Sequence, residues 1–151
     1  MKHPFRALLL GVSLASTPAC ASLQLAPTRI ENPFAAARTL DQRAYALLQV
    51  YAAVLEEATD IVRDPATPLA LSRALGRAER AATPAAEMLE IAVAAHLRAQ
   101  ADFDAASAEA QPVLERAALA LTIAAQRLNQ AVTAAQAPVG ELEQLVRARR
   151  S

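Results

Sequence analysis

The 151-residue chain is poor in the side chains on which most catalytic and cofactor chemistry is built. Its single cysteine, Cys20, excludes an internal disulfide framework and any site held by several thiolates. There are two histidines, His3 and His96, three glycines and no tryptophan. The glycines are too few and too scattered for a phosphate-cradling loop. Neither Gly-x-Ser-x-Gly, Glu-x-x-His nor Cys-x-x-Cys-His occurs, so the usual signatures of a hydrolase elbow, a di-metal bundle and a haem attachment are missing. Aromatics make up 3% of the chain, and strand-forming residues are scarce, which argues against a β-sandwich or barrel. Charge of either sign is not in excess: 15 basic residues balance 15 acidic ones. A chain so balanced lacks the basic field that nucleic acid demands. What the chain has in quantity is alanine (40) and leucine (21) within a composition 54% hydrophobic. That is too apolar for a disordered chain and well suited to helix.

The first 21 residues read MKHPFRALLLGVSLASTPACA. Lys2 and Arg6 form a positive start, Ala7 to Ala15 an apolar stretch of nine, and small residues follow. This order is that of a secretory signal peptide, and the apolar stretch is short of the roughly 20 residues of a spanning helix. Ala19-Cys20-Ala21 offers an ordinary cleavage site after Ala21. Thr17-Pro18-Ala19-Cys20 resembles the lipidation box of bacterial lipoproteins, with Ala19 and Cys20 in the matching places and Thr17 where Leu is usual. The resemblance implies a lipid on Cys20. The absence of Asp after it then implies the outer membrane rather than the inner. Without Lys2 and Arg6, 13 basic residues, all Arg, face 15 acidic ones, a formal charge of −2. Residues 22–32 contain Pro27 and no helical period, and read as an extended linker ahead of a domain at 33–151.

In that domain the apolar residues repeat alternately at four and three, the spacing of a helical seam. The first stripe is Leu40, Ala44, Leu47, Tyr51, Val54, Ala58 and Ile61, widened by Leu48, Leu55 and Val62. Asn32-Pro33 offers one helix start and the capping box Thr39-Leu40-Asp41-Gln42 a second; Asp64-Pro65 ends the helix. Thr67-Pro68 opens the next helix. Its stripe runs from Leu71, Leu75, Ala78 and Ala82 through Ala85, Leu89, Ala92, His96, Ala99 and Phe103 to Ala106 without a slip. The third stripe runs from Leu114 through Leu121, Leu128, Val132, Ala135, Val139 and Leu142 to Val146. The register one residue further on holds a single apolar side chain, Leu119, in ten positions. Pro84 and Pro138 fall inside the second and third patterns. The unbroken register predicts kinks there, with four or five shorter helices the outcome if the prolines break the chain. Short connections predict an all-α, antiparallel up-down-up three-helix bundle.

Since the first helix is the shortest, the hairpin of the other two should project beyond it. Ile91, Val93, Leu97, Leu119 and Ile123 lie beside the main stripes toward that end, with Phe103 at the tip. They either widen the core or form a contact surface. Arg147, Arg149 and Arg150 either complement the dipole at a helix C-terminus or contact an anionic lipid or polymer. His96 falls on the core stripe, near where Phe34 would pass, and is read as a half-buried side chain rather than a ligand. Ser72 and Gly76 are read as small residues that let a neighbouring helix approach. No metal, cofactor or catalytic set is expected. The leading functional expectation is a lipid-anchored, non-catalytic envelope bundle that binds a protein or an envelope component, with a homo-oligomer as one form. The second is a soluble periplasmic carrier or chaperone-like binder of an apolar ligand.

Overall fold

A computed structural model describes residues 37–150. They form three α-helices and no strand: α1 Leu40–Arg63, α2 Leu69–Ala106 and α3 Gln111–Arg150. The helices contain 24, 38 and 40 residues, or about 36, 57 and 60 Å at 1.5 Å per residue.

The start of α1 is set by the capping box; Asn32-Pro33 lies outside the described residues. Thr39 is extended (φ −101°, ψ 161°). The Gln42 amide donates to Thr39 Oγ1, and Gln42 Oε1 accepts from the amides of Thr39 and Arg38. Three N–H groups at the helix start are thereby engaged by two side chains. At the other end Asp64 turns to ψ 116°, the extended region that a following proline enforces. Thr67 does not cap α2 as its position before Pro68 suggests. Its hydroxyl donates instead to Ile61 O at 2.6 Å, closing the end of α1. Pro68 itself occupies the cap of α2, its carbonyl accepting from Leu71 and Ser72.

Contacts far apart in sequence fix the directions. Asp41 of α1 meets His96 of α2, and Tyr51 meets Thr83, so these two helices are antiparallel. Arg149 and Arg150 of α3 reach Asp64 and Glu57 near the end of α1, so α1 and α3 are parallel. The bundle is up-down-up. Both α2 and α3 continue through their internal prolines as single helices. Proline lacks an amide hydrogen, so Pro84 leaves the Arg80 carbonyl and Pro138 the Ala134 carbonyl without the regular helical donor. Tertiary packing and high helix propensity on either side carry the helix across this gap.

The predicted stripes form the core. Leu75, Ala82, Leu89, Leu128, Ala135, Val139 and Leu142 are fully enclosed, and α1 adds Ala44, Leu47, Val54 and Ala58. No polar or charged side chain is buried among the described residues. One flanking assignment is corrected. Val62 does not widen the core but is half exposed, because it sits in the last turn of α1 on the outer side. Of the residues left open between core and contact surface, Val93 widens the core. Gly76 has no helix packed over it; the nearest atom to an added Cβ would be the Arg80 guanidinium at 3.7 Å.

Candidate interaction surface

Between α2 and α3, with no residue of α1 in its lining, lies a groove of about 870 Å³. Its walls are Ala81, Pro84, Ala85, Met88, Ile91 and Ala95 from α2 and Arg127, Gln130, Ala131, Ala134 and Pro138 from α3, with the seam residue Ala92 also in its lining. Because the helices run oppositely, the groove extends from Ala81 and Pro138 at one end to Ala95 and Arg127 at the other. Its lining is alanine, proline, methionine and isoleucine, with Arg127 and Gln130 the polar side chains. Met88 and Ile91 are 60% and 62% exposed. Exposed alkyl area of this kind, gathered in a concavity, marks a contact surface.

The sequence pattern carried a signal for this face. Ala81, Met88 and Ala95 repeat at seven, as do Pro84 and Ile91 on α2, and Ala131 and Pro138 on α3. The eye passes over this second stripe because its members are mostly alanine and proline, beside a seam marked by leucine. Met88, Arg127 and the two prolines are therefore the surface residues that reading by apolar periodicity leaves out.

The projected hairpin tip is present. His96 stands beside Asp41 at the beginning of α1, so the part of α2 beyond it and the facing part of α3 extend past that helix. Leu97, Leu119 and Ile123 are exposed there, and Phe103 is half-buried. The expected set of Ile91, Leu97, Phe103, Leu119 and Ile123 is not one patch. By helical position Ile91 belongs to the groove, and Ile123, seven residues before Gln130, continues it. Leu97, four residues after the buried Val93, points toward the α1 side.

The polar groups form pairs rather than a reactive cluster. His96 Nε2 faces Asp41 Oδ1 at 3.4 Å, while Nδ1 is buried with no hydrogen-bond partner. Its neighbour is thus the first turn of α1; Phe34 lies outside the described residues. Tyr51 Oη lies 2.9 Å from Thr83 Oγ1. The Thr83 hydroxyl donates to Glu79 O, so the shared proton in the pair belongs to Tyr51. Arg147, Arg149 and Arg150 contact Glu143, Asp64 and Glu57 respectively. Two of these ties join the end of α3 to α1. A different basic group, Arg73, Arg77 and Arg80, lines a shallow exposed hollow with Ser72 and Gly76. Among the described residues no group of three or more His, Cys, Asp or Glu is placed to hold a metal ion, and no helix is long and apolar enough to cross a membrane. Cys20, with the leader and linker, lies outside the described residues.

No known protein family matches the chain, and neither a curated protein nor a solved structure does.

Proposed function

We propose that this is an exported, non-catalytic protein of the bacterial cell envelope. A lipid on Cys20 anchors it to the outer membrane, facing the periplasm, and the helical domain binds another protein or an envelope component. The observation that carries the reading is the groove between α2 and α3: an apolar surface turned outward from a bundle whose own core is closed. The leader-like order of Met1–Ala21 and the position of Cys20 support the anchor. Residues 22–32 would serve as the tether. Bends at Pro84 and Pro138, both of which line the groove, would shape it for a helical or extended partner.

A second reading is favoured by the groove's volume: a soluble periplasmic carrier holding an apolar small molecule in the same place. Against it stands the open side of the groove, since small-molecule sites normally enclose about 70–90% of their ligand.

Mass spectrometry of the mature N-terminus tests the anchor. Diacylglyceryl Cys20 is expected; a free Ser22 favours the soluble carrier, and an intact Met1 overturns export altogether. Titration with the fluorescent apolar probe N-phenylnaphthylamine separates the two uses of the groove. Little binding is expected, whereas saturable binding lost in Met88→Glu would support the carrier.

A further inference from the structure

We infer that the occupant of the groove is a second copy of this chain, packed antiparallel so that α2 lies on α2 and α3 on α3. The inference rests on reading the groove as a protein-docking face and adds the identity of the partner. It comes from the charges that flank the apolar middle. On α3 the groove face repeats at seven as Arg127, Ala134 and Glu141, so a cation and an anion sit equally far from Ala134. On α2, Arg77 lies seven residues before Pro84, and Asp102 seven residues after Ala95. Both helices thus carry an arginine on one side of the apolar stretch and a carboxylate on the other. All four side chains belong to exposed residues, and none makes an ion pair with another described residue.

A charge order of opposite sign about its own centre is what self-pairing needs. A two-fold axis crossing the helices near Ala134 places Arg127 over the partner's Glu141, and Glu141 over the partner's Arg127. The same axis brings Arg77 toward the partner's Asp102. Each contact occurs twice, as in any isologous dimer. Parallel packing of the same faces would instead set Arg127 on Arg127 and Glu141 on Glu141, and like charges in apposition reject it. Met88 and Ile91 of the two copies then meet around the axis and lose their exposure. This arrangement covers the broad apolar groove that α1 leaves open.

The test is sedimentation equilibrium of the full chain, expressed with its own leader, processed by its host and held in density-matched detergent. A dimer is expected. Arg127→Glu alone and Glu141→Arg alone should each weaken it about tenfold, since each puts like charges together at two symmetric places. The double variant should return to within about threefold of the original. Met88→Glu should give a monomer of unchanged helicity, because Met88 is outside the core. A monomer at every concentration overturns the proposal. So does a dimer indifferent to Met88→Glu, or a double variant weaker than both singles. A photo-crosslinking amino acid at position 88 keeps the two levels apart. An adduct of twice the chain mass is expected. Adducts with other proteins alone overturn self-association but leave the docking reading standing, and no adduct of any kind overturns both.

Discussion

The bundle has two regions built from the same pattern with different results. From Leu75 to Val93 on α2 and from Leu128 to Val146 on α3, the seam residues are buried under α1, most of them to within a few per cent. Beyond His96 the seam goes on in the same register, through Ala99 and Phe103 on α2 and Leu114, Ala118, Leu121 and Ala125 on α3. There these residues are only half-buried, and only Ala106 and the neighbouring Ala124 are enclosed. The difference is not one of composition or period. It arises because α1 begins at Leu40, beside His96, and among the described residues the hairpin tip has two helices where the rest has three. A third helix removes water from the flanks of a seam as well as from its centre. Burial stabilises in proportion to the area removed from water, so equal sequence patterns contribute unequally.

The comparison can be broken most directly by removing side chains. Leu128→Ala, at a fully buried position, should destabilise by about 2–5 kcal/mol in urea unfolding. Leu121→Ala, on the same stripe but at the tip, should cost about 1 kcal/mol, because part of its area already faces water. Equal losses would mean that the tip is as well covered as the middle. Hydrogen exchange should report the same division without mutation. Amides of residues 98–106 and 112–121 should exchange at least roughly tenfold faster than those of 128–142, through openings that leave the three-helix region intact. Uniform protection along α3 would contradict it.

Two smaller effects sharpen the boundary and the middle. His96 stands where the regions meet, with Nδ1 buried and unpartnered. His96→Leu removes that orphan nitrogen and gives up a long contact to a partly exposed carboxylate. It should stabilise by about 1 kcal/mol, and a loss of similar size would show that the Asp41 pair matters more than the orphan nitrogen. Gly140 lies inside α3, and an added Cβ would meet nothing within 4 Å. Gly140→Ala should therefore add about 0.5–1 kcal/mol, seen as a higher urea midpoint with unchanged hydrogen exchange at the tip.

Much of the fold was legible because helix periodicity is a local property repeated many times. Every residue of the seam from Leu40 to Ile61 is at least half-buried, and the seams of α2 and α3 behave alike. The first-helix boundary was also available in Thr39 and Gln42, a reciprocal pair needing only each other. Thr67 was misread because its hydroxyl can either accept from an amide at the start of α2 or donate to a carbonyl at the end of α1, and the loop geometry favoured Ile61 O. The surface was harder to see. Arg149 and Arg150 meet acids of α1 far away in sequence, and no local rule links them. The groove went unread because alanine and proline look neutral until two helices set them side by side.

Composition and spacing alone therefore determined that the described chain is helical, that three apolar stripes face one another, and that the stripes run through Pro84 and Pro138. These follow from side-chain chemistry and from a backbone period that each segment carries by itself. Only the packing of the helices decided which apolar residues lie covered and which face out, since burial depends on how far a neighbouring helix extends. The groove lined by Met88 and Ile91, the orphan nitrogen of His96 and the half-covered tip all follow from where α1 starts and on which side of the hairpin it lies.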